Sequence, residues 1–593
     1  MKEGKPYRIC FCDPFLFSGL LPTLAAATLA AAVKNIGHEA KIFYPSIEFF
    51  LRHRLYKNTD FSRLVDDIPF QLAEEFFSDD SDEIFYEKLK NHEASLSDEA
   101  VYNICLMRSD AVKMIDILSN TIAEWKPAIL CYSFTFGGYR FAKRFFSAVK
   151  KKCPDVLVVA GGSNCSPTVA VELLDRFSEI DYVLCDETAQ SLIDLLNILE
   201  FGKLSLTRYI ASRSSDASAV LKLQDLDKLP CPDFDDYFDI IDRFGIKREM
   251  VTIPYELSRG CWWAEKKPCT MCGFFGQHKC YSTKSPAKVI DELTALSQKY
   301  SVNRFRFSDL VQPKAAYLKE LLPLEKLELK LFWELRADVK EEDYALLRKI
   351  GMTFGQIGIE SLSDDALNWM NKGTSVLQNV YALMQASKYK IELVWNYLYG
   401  LPGESEEWYA NATEVISKLH HLQPPIPRRM WINRYSPIFE SEEAVCAKDG
   451  RSLDNIFVQD GYKKMKSAQM VLLDAIDQWH IAYNGGTALY VLVRDDFKGI
   501  VRGDKNQDEM IPLEPEELFV YLYYSQPHSL SDGVRDTELD EYRLKVMLDR
   551  FIDRNLMIRQ GDSFLAVATG HSQYKWVKPQ DQVMYLGDEM FQI

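Results

Sequence analysis

The sequence predicts an α/β protein of three parts. The first is a doubly wound, Rossmann-like parallel sheet over residues 1–228, and the second a partial (β/α)6 barrel over 229–440. The third is a C-terminal region, 441–593, holding a small winged-helix-like α+β module at about 511–570. Three observations carry this. Short apolar runs alternate with helix-length segments in the first third, the mark of a parallel sheet with crossover helices. Six or so further strand-like runs follow, again spaced by helix-length segments, as in a β/α barrel. Near the end, helix, helix, strand, Gly-Asp turn and strand succeed one another. At 593 residues the chain is too long for one core, and length alone sets an expectation of about three or four domains.

The first third opens with a buried strand, Arg8-Ile-Cys-Phe-Cys12, and a Pro/Gly-containing loop, Asp13 to Gly19. An Ala-rich helix from Leu20 to Val33 comes next and stops at Lys34-Asn-Ile-Gly37, a C-terminal signal. A second strand, Ala40–Tyr44, completes a βαβ start. A polar, aromatic, helix-biased insert spans roughly 46–120. The alternation then resumes with Ala128–Tyr132, a helix near Tyr139–Lys151, and strands Val156–Ala160 and Tyr182–Cys185. In such a sheet a ligand lies beyond the carboxyl ends of the strands. Those ends carry Ser133 and Thr135, Gly161 and Gly162, and Asp186 and Glu187. Small residues there let a bulky ligand tail pass between strand ends and helices. The same residues also suit the ordinary turns of a purely structural domain.

A Pro/Asp-rich linker, Leu229 to Asp236, marks the next boundary. The run Met250–Leu257 reads as the first barrel strand. Further strands are expected at Arg304–Ser308, Lys330–Glu334, Phe354–Ile359, Glu392–Asn396 and Arg429–Asn433. Chemistry in a barrel sits at the carboxyl ends of its strands. Polar groups stand there: Asp309, Glu334 and Arg336, Glu360 and Ser361, Asn396 and Arg434. Asp309 and Arg434 read as satisfied rim residues.

After the first strand comes Ser258-Arg-Gly-Cys-Trp-Trp-Ala-Glu-Lys-Lys-Pro-Cys-Thr-Met-Cys-Gly273, with cysteines at 261, 269 and 272. Thiolates this close on one loop can converge on a soft metal centre. Three of them would leave one iron of a 4Fe–4S cluster without a protein ligand, free to chelate a substrate. A zinc site completed by His278 or Cys280 is the alternative, and spacing alone leaves the two open. The odd total of 13 cysteines and the lack of a secretory signal argue against disulfides. Placement favours iron, since a loop hung from a barrel's first strand, ahead of a helix near Pro286, suits a cluster.

Two tempting motifs are set aside. Gly400-Leu-Pro-Gly-Glu404 lacks the Lys-Ser/Thr of a phosphate-binding loop. His420 and His421 are adjacent, so they point to different faces of a helix rather than to one metal.

In the C-terminal module, helices at Pro515–Tyr524 and Glu538–Asn555 precede the strand-turn-strand Met557–Val567. Acidic residues run through both helices, and the whole chain carries a formal charge of −16. Neither suits nucleic acid held by its phosphates, while a basic peptide would suit both. The module reads either as a packing element or as a peptide- or leader-recognition element. The longest apolar run, Leu20 to Val33, is shorter than a membrane span, and no signal peptide precedes it. The expectation is a cytoplasmic protein with no membrane and no nucleic-acid partner.

Four segments resemble the radical S-adenosylmethionine (SAM) enzymes. They are Ser258-Arg-Gly-Cys-Trp-Trp263, Gln356-Ile-Gly-Ile-Glu-Ser-Leu362, Trp395-Asn-Tyr-Leu-Tyr-Gly-Leu-Pro-Gly-Glu404 and His421-Leu-Gln-Pro-Pro425. More narrowly, with Gly161-Gly-Ser-Asn-Cys165, they are similar to the cobalamin-binding maturases of ribosomally made, modified peptides (RiPPs) of the bacteriocin type. The likeness covers residues 1 to about 440.

The resemblance implies a radical SAM barrel and a cobalamin-binding type of Rossmann domain. It implies that Cys261, Cys269 and Cys272 hold a 4Fe–4S cluster. Gly273, Glu334, Arg336, Glu360, Ser361 and Lys372 would hold SAM, and Ser133, Thr135, Gly161, Gly162, Asn164 and Glu187 would hold cobalamin. The implied activity is generation of a 5′-deoxyadenosyl radical and cobalamin-dependent C-methylation of a residue in a precursor peptide. Electrons would come from a low-potential donor such as flavodoxin or ferredoxin. A peptide cyclase, epimerase or rearrangement enzyme without methyl transfer is the nearest alternative, and a zinc-stabilised peptide-binding scaffold the more distant one. Two departures stand out. The loop Asp13 to Gly19 lacks the Asp-x-His-x-x-Gly signature of cobalt-ligating histidines, and Phe275 stands where the subgroup has Asn.

Overall fold

The computed structural model describes residues 6–15, 19–54, 69–92, 97–135, 138–185, 189–201, 208–219, 225–273, 280–430, 432–433, 435–440, 457–458, 466–494, 496–505 and 507–570. The N-terminal sheet has six strands: β1 (Arg8–Cys12), β2 (Glu39–Phe43), β3 (Ile129–Ser133), β4 (Leu157–Gly161), β5 (Tyr182–Leu184) and β6 (Ile210–Ala211). Their order is β2-β1-β3-β4-β5-β6, with β1 to β5 parallel and β6 antiparallel to β5. The chain winds to one side of β1 and then to the other, which makes the β1/β3 boundary the switch point where such sheets open a crevice.

Alternate residues of these strands enter two different cores. Ile9, Phe11, Ile129, Cys131 and Val159 pack with the Ala-rich helix Leu24–Asn35, in a core that continues into the barrel. Cys10, Leu130, Tyr132, Val158 and Ala160 pack instead with Leu72, Phe76, Phe85, Val101 and Ile104 of the insert. The sheet is therefore apolar on both faces, as buried parallel sheets are. The described residues of the insert include helices Pro69–Phe76, Asp82–His92 and Asp98–Trp125.

A second sheet begins with β7 (Thr252–Tyr255). The short antiparallel pair β8 (Ser258–Arg259) and β9 (Ser282–Thr283) brackets the cysteine loop. Then come β10 (Arg304–Phe307), β11 (Lys330–Arg336), β12 (Met352–Gly358) and β13 (Glu392–Val394), in the parallel order β13-β12-β11-β10-β7. Past Trp395 the chain continues as β14 (Asn396–Tyr399). This strand bridges to Glu360 and pairs in parallel with β15 (Ile426–Arg429).

The last strand thus lies three residues earlier than the expected Arg429–Asn433. Pro425 and Pro427 disguised it. Proline cannot donate to a ladder, but β15 pairs on one side only, where proline is tolerated. Ile432–Asn433 (β16) turns away to pair antiparallel with Phe457–Val458 (β17).

In the second sheet Ile253, Tyr255, Phe305, Phe307, Trp333, Leu335 and Ile357 are buried beneath the helices. The alternating positions carry Arg306, Glu334 and Gln356, which are half-buried. A closed barrel fills its lumen with branched aliphatic residues. Phe332 and Phe354 share that face, so this lumen is mixed.

Helix Ser467–Asn484 packs on the barrel, with the indole N–H of Trp479 donating to Leu422 O at 2.7 Å and its ring edge-on to Trp395. An antiparallel sheet follows, β18 (Ala488–Val493), β19 (Lys498–Gly503) and β20 (Asp508–Pro512). The last module runs helix Pro515–Tyr523, β21 (His528–Ser529), helices Leu530–Thr537 and Glu541–Asp553, β22 (Met557–Gln560) and β23 (Ser563–Ala566). The helix at 530–537, with Gly533 inside it and few apolar residues, gave no readable signal in the sequence. Among the described residues no helix is long and apolar enough to cross a membrane.

Candidate active site

The cysteine loop is fixed at its base, its middle and its end. At the base, Gly260 has φ +82°, and a Cβ there would lie 2.1 Å from Cys280 O, so only glycine lets β8 and β9 close. In the middle, Trp263 lies against Gly373 and donates to Asn371 O at 3.2 Å. Towards the end, Thr270 donates through N to Met370 O and through Oγ1 to Trp369 O, at 2.9 and 2.8 Å. Asn371 returns a bond to Pro268 O. The 369–373 turn therefore acts as the bed on which the loop is laid.

Cys261, Cys269 and Cys272 are half-buried, and the last two are joined by a turn from Cys272 N to Cys269 O. Among the described residues no three His, Cys, Asp or Glu side chains close around a metal-sized position. Burial pushes the Cys269 thiol up, and the Lys372 ammonium beside it draws it back down. Cys280 is exposed, and His278 lies outside the described residues. Three soft thiols on a braced loop could serve an iron–sulfur site with one open position.

The expected SAM group divides in two. Glu360 and Lys372 form a buried ion pair at 2.6 Å. Glu360 holds φ +57°, a strained value for a side chain other than glycine, and Leu398 N donates to its carbonyl at 2.9 Å. Gly358 leaves room for this pair, since a Cβ there would sit 2.9 Å from Lys372 Nζ. Burial raises the Glu334 carboxyl, with Arg306 opposing and Glu360 adding to the rise. Glu360 and Lys372 both lie near Cys269.

Arg336 and Ser361 are engaged elsewhere. The Arg336 guanidinium bonds Asp338 at 2.9 and 3.2 Å and Lys372 O at 2.8 Å, and it lies 4.3 Å from the Trp263 ring. Arg336 thus braces the cysteine loop. Ser361, 1% exposed, accepts from Ser363 N and shares a hydrogen bond with the Tyr397 hydroxyl. Gly273 is buried at the loop's end. Asp309 is a satisfied rim residue, accepting from Leu257 N, Ser258 N and the Trp333 indole. Arg434 and Phe275 lie outside the described residues.

Beside the loop, at the β1/β3 switch point, opens a cleft of about 470 Å³. Pockets for drug-sized ligands enclose roughly 300–1,000 Å³, and this cleft falls within that range. Ser133, Thr135, Gly161 and Gly162 line it, as does Asp13. The Ser133 and Thr135 hydroxyls lie 3.2 Å apart. Gly162 has φ +108°, and a Cβ would come within 2.6 Å of Phe134 O and 2.7 Å of Ser133 Oγ. Asn164 is 5% exposed and stands behind the wall, with its amide on Thr135 O. Glu187 lies outside the described residues.

Sequence reasoning missed the opposite wall. Glu256, Ser258, Arg259 and Gly260 form it with Ser308 and Leu310 from the end of β10. Glu256 and Arg259 are joined by two 2.8 Å bonds. An acidic and a basic residue three apart at a strand end was the available signal. The glycine-walled floor of the cleft and its largely apolar lining, set with the Ser133 and Thr135 hydroxyls, fit the flank of a bulky organic cofactor such as cobalamin.

Comparison with known proteins accords with this geometry. The model for the radical SAM superfamily matches residues 255–416. The anaerobic magnesium-protoporphyrin IX monomethyl ester cyclase of Rubrivivax gelatinosus is 24% identical over 328 residues, 50% of this chain and 57% of that protein. The hopanoid C-3 methylase of Methylococcus capsulatus is 23% identical over 330 residues, 54% of this chain and 60% of that one. The chain thus spans little more than half the length of these curated relatives. Among solved structures, the cobalamin-dependent SAM radical enzyme OxsB, with aqua-cobalamin and SAM bound, superposes with a TM-score of 0.56. It is 12% identical, and the match covers 93% of this chain and 80% of that one, a likeness of fold alone. Over residues 255–416 this chain is similar to the radical SAM superfamily.

Proposed function

We propose that the chain is a cobalamin-dependent radical SAM enzyme that methylates an unactivated carbon of a residue in a precursor peptide, as in RiPP maturation. One observation carries the cofactor pairing: Ser258, Arg259 and Gly260 belong both to the wall of the cleft and to the stem leading into Cys261. A large cofactor in the cleft and a cluster on the loop would be neighbours. Cys261, Cys269 and Cys272 would hold the 4Fe–4S cluster. Glu334, Glu360, Lys372 and the Gly273 backbone would hold SAM, and Ser133, Thr135, Gly161 and Gly162 would hold the cobalamin tail. When bound, these groups supply one-electron cleavage of SAM to a 5′-deoxyadenosyl radical and a corrinoid-borne methyl group.

The chain's own residues orient these groups and exclude water. Trp263 and Arg336 cover the loop, and the Lys372–Glu360 pair presents one charge of each sign towards a zwitterionic amino-acid end. The peptide substrate is supported by the resemblance of the loop segments and by the acidic chain, which suits a basic peptide. A flavodoxin or ferredoxin would deliver the electrons. A second reading, radical cyclisation or rearrangement without methyl transfer, is favoured by Phe15, which stands where a cobalt-ligating histidine would.

The test uses reconstituted protein, dithionite and SAM carrying a deuterated methyl group. The proposal expects 5′-deoxyadenosine and labelled methylcobalamin by mass spectrometry. 5′-Deoxyadenosine without labelled methylcobalamin would shift the assignment to the second reading. Neither product would overturn both.

A further inference from the structure

Asp13 follows β1 on the floor of the cleft and is 4% exposed. Its backbone is fixed, with N donating to Phe43 O at 2.9 Å and O accepting from the Cys12 thiol. Its Oδ1 is buried without a hydrogen-bond partner among the described residues. The ionisable groups facing it are Cys12 on β1, Tyr44 after β2 and Tyr132 on β3. None is a cation. An ionised carboxylate in such a place is costly unless paired. Burial holds this carboxyl well above the usual carboxylate range. In that state it is a neutral acid, with one O–H to give and one C=O to receive.

Two residues on, Phe15 is fully buried against Phe49, Phe77 and Phe141 and takes no part in the cleft. Of the described residues in this loop, Asp13 is the one with a polar side chain that lines the cleft. The group complementary to a carboxylic acid is a primary carboxamide, whose N–H meets the acid C=O while its own oxygen accepts the acid O–H. A corrin ring is rimmed with such amides.

We infer that Asp13 selects the cofactor of the cleft by pairing, as a carboxylic acid, with a side-chain carboxamide of a corrinoid. This rests on the cobalamin reading above. Equilibrium dialysis of hydroxocobalamin against the full-length protein tests it, with corrin absorbance as the readout. Asp13→Asn keeps a group that both donates and accepts, and should bind within about threefold of wild type. Asp13→Leu, of similar size, leaves the amide unpaired and should bind about tenfold to hundredfold more weakly.

Should the Leu variant fail to fold by circular dichroism, the pH dependence decides. Wild-type affinity should fall relative to that of Asp13→Asn as pH rises, because only the acid has a proton to lose. Equal affinity in wild type and Asp13→Leu overturns the assignment of Asp13 and leaves the cobalamin reading standing. So does a pH-independent ratio where the Leu variant is unfolded. No hydroxocobalamin retained by wild type overturns both.

Discussion

Trp263 and Gly373 touch so closely that a Cβ on residue 373 would lie 2.1 Å from the indole ring. Gly373 also holds φ +67°, so an added methyl meets both a clash and backbone strain. Gly373→Ala should lift Trp263 off its bed and destabilise the protein by about 1–3 kcal/mol. Iron bound per chain after reconstitution should fall with it. Full iron retention at unchanged melting temperature would show that this contact does not hold the loop.

The ion pair of Lys372 and Glu360 gives a second prediction. Removing one partner of a buried pair strands the other charge. Glu360 keeps some solvent contact, so Lys372→Met should cost less than a fully buried pair would, up to about 3 kcal/mol. Adding Glu360→Gln should recover much of that stability. SAM affinity, measured by calorimetry, should stay more than about tenfold down in both variants. Recovery of SAM binding in the double variant would mean the pair serves folding alone.

Asp309 ties the start of the cysteine loop to the barrel through three N–H donors. In Asp309→Asn the new amide N–H would face the Trp333 indole N–H, and the loss should be about 1–3 kcal/mol. Burial pushes this carboxyl up to about 7 in the folded chain. Its folded value exceeds its unfolded one, so the stabilisation is complete below about 4 and fades as pH rises through about 7. The stability advantage of wild type over the variant should shrink along that climb. A gap that widens would contradict the assignment.

His421 behaves in the opposite sense. A carbonyl only accepts, so Nε2 carries the proton donated to Val567 O at 2.8 Å, joining the barrel to the strand end of the last module. Burial lowers this histidine to about 4. The stabilisation is therefore present above about 6.5 and lost as pH falls towards about 4. Wild type should lose melting temperature faster than His421→Gln over that range. Parallel curves would refute the neutral bridge.

The legible parts of the chain were those whose signal is local. Ile9 and Phe11 alternating with Cys10 and Cys12 announce a strand whatever packs on it, and the cysteine triplet declares a soft-metal loop by spacing alone. Arg336 shows what was not legible. Its place at a strand end suggested a ligand contact, yet Asp338, Lys372 O and Trp263 engage it, and the last two come from other elements. Ser361 was likewise expected at a ligand and lies buried against Tyr397, met only after two helices and a strand. β15 was hidden because prolines mask strand propensity, and its edge position shows only once the sheet is assembled. The Glu256–Arg259 wall was written in the sequence but becomes a wall only when the N-terminal sheet is brought opposite.

The central claim, a cluster loop sharing a wall with a cobalamin cleft, is tested most directly by anaerobic reconstitution with iron, sulfide and hydroxocobalamin, then desalting, visible spectra and metal analysis. The account predicts that cluster and corrinoid are retained together. Cys261→Ala should lose the cluster and keep the corrinoid, while Gly162→Val should lose the corrinoid and keep the cluster. Zinc without iron, or a cluster with no corrinoid in the wild-type protein, would contradict it.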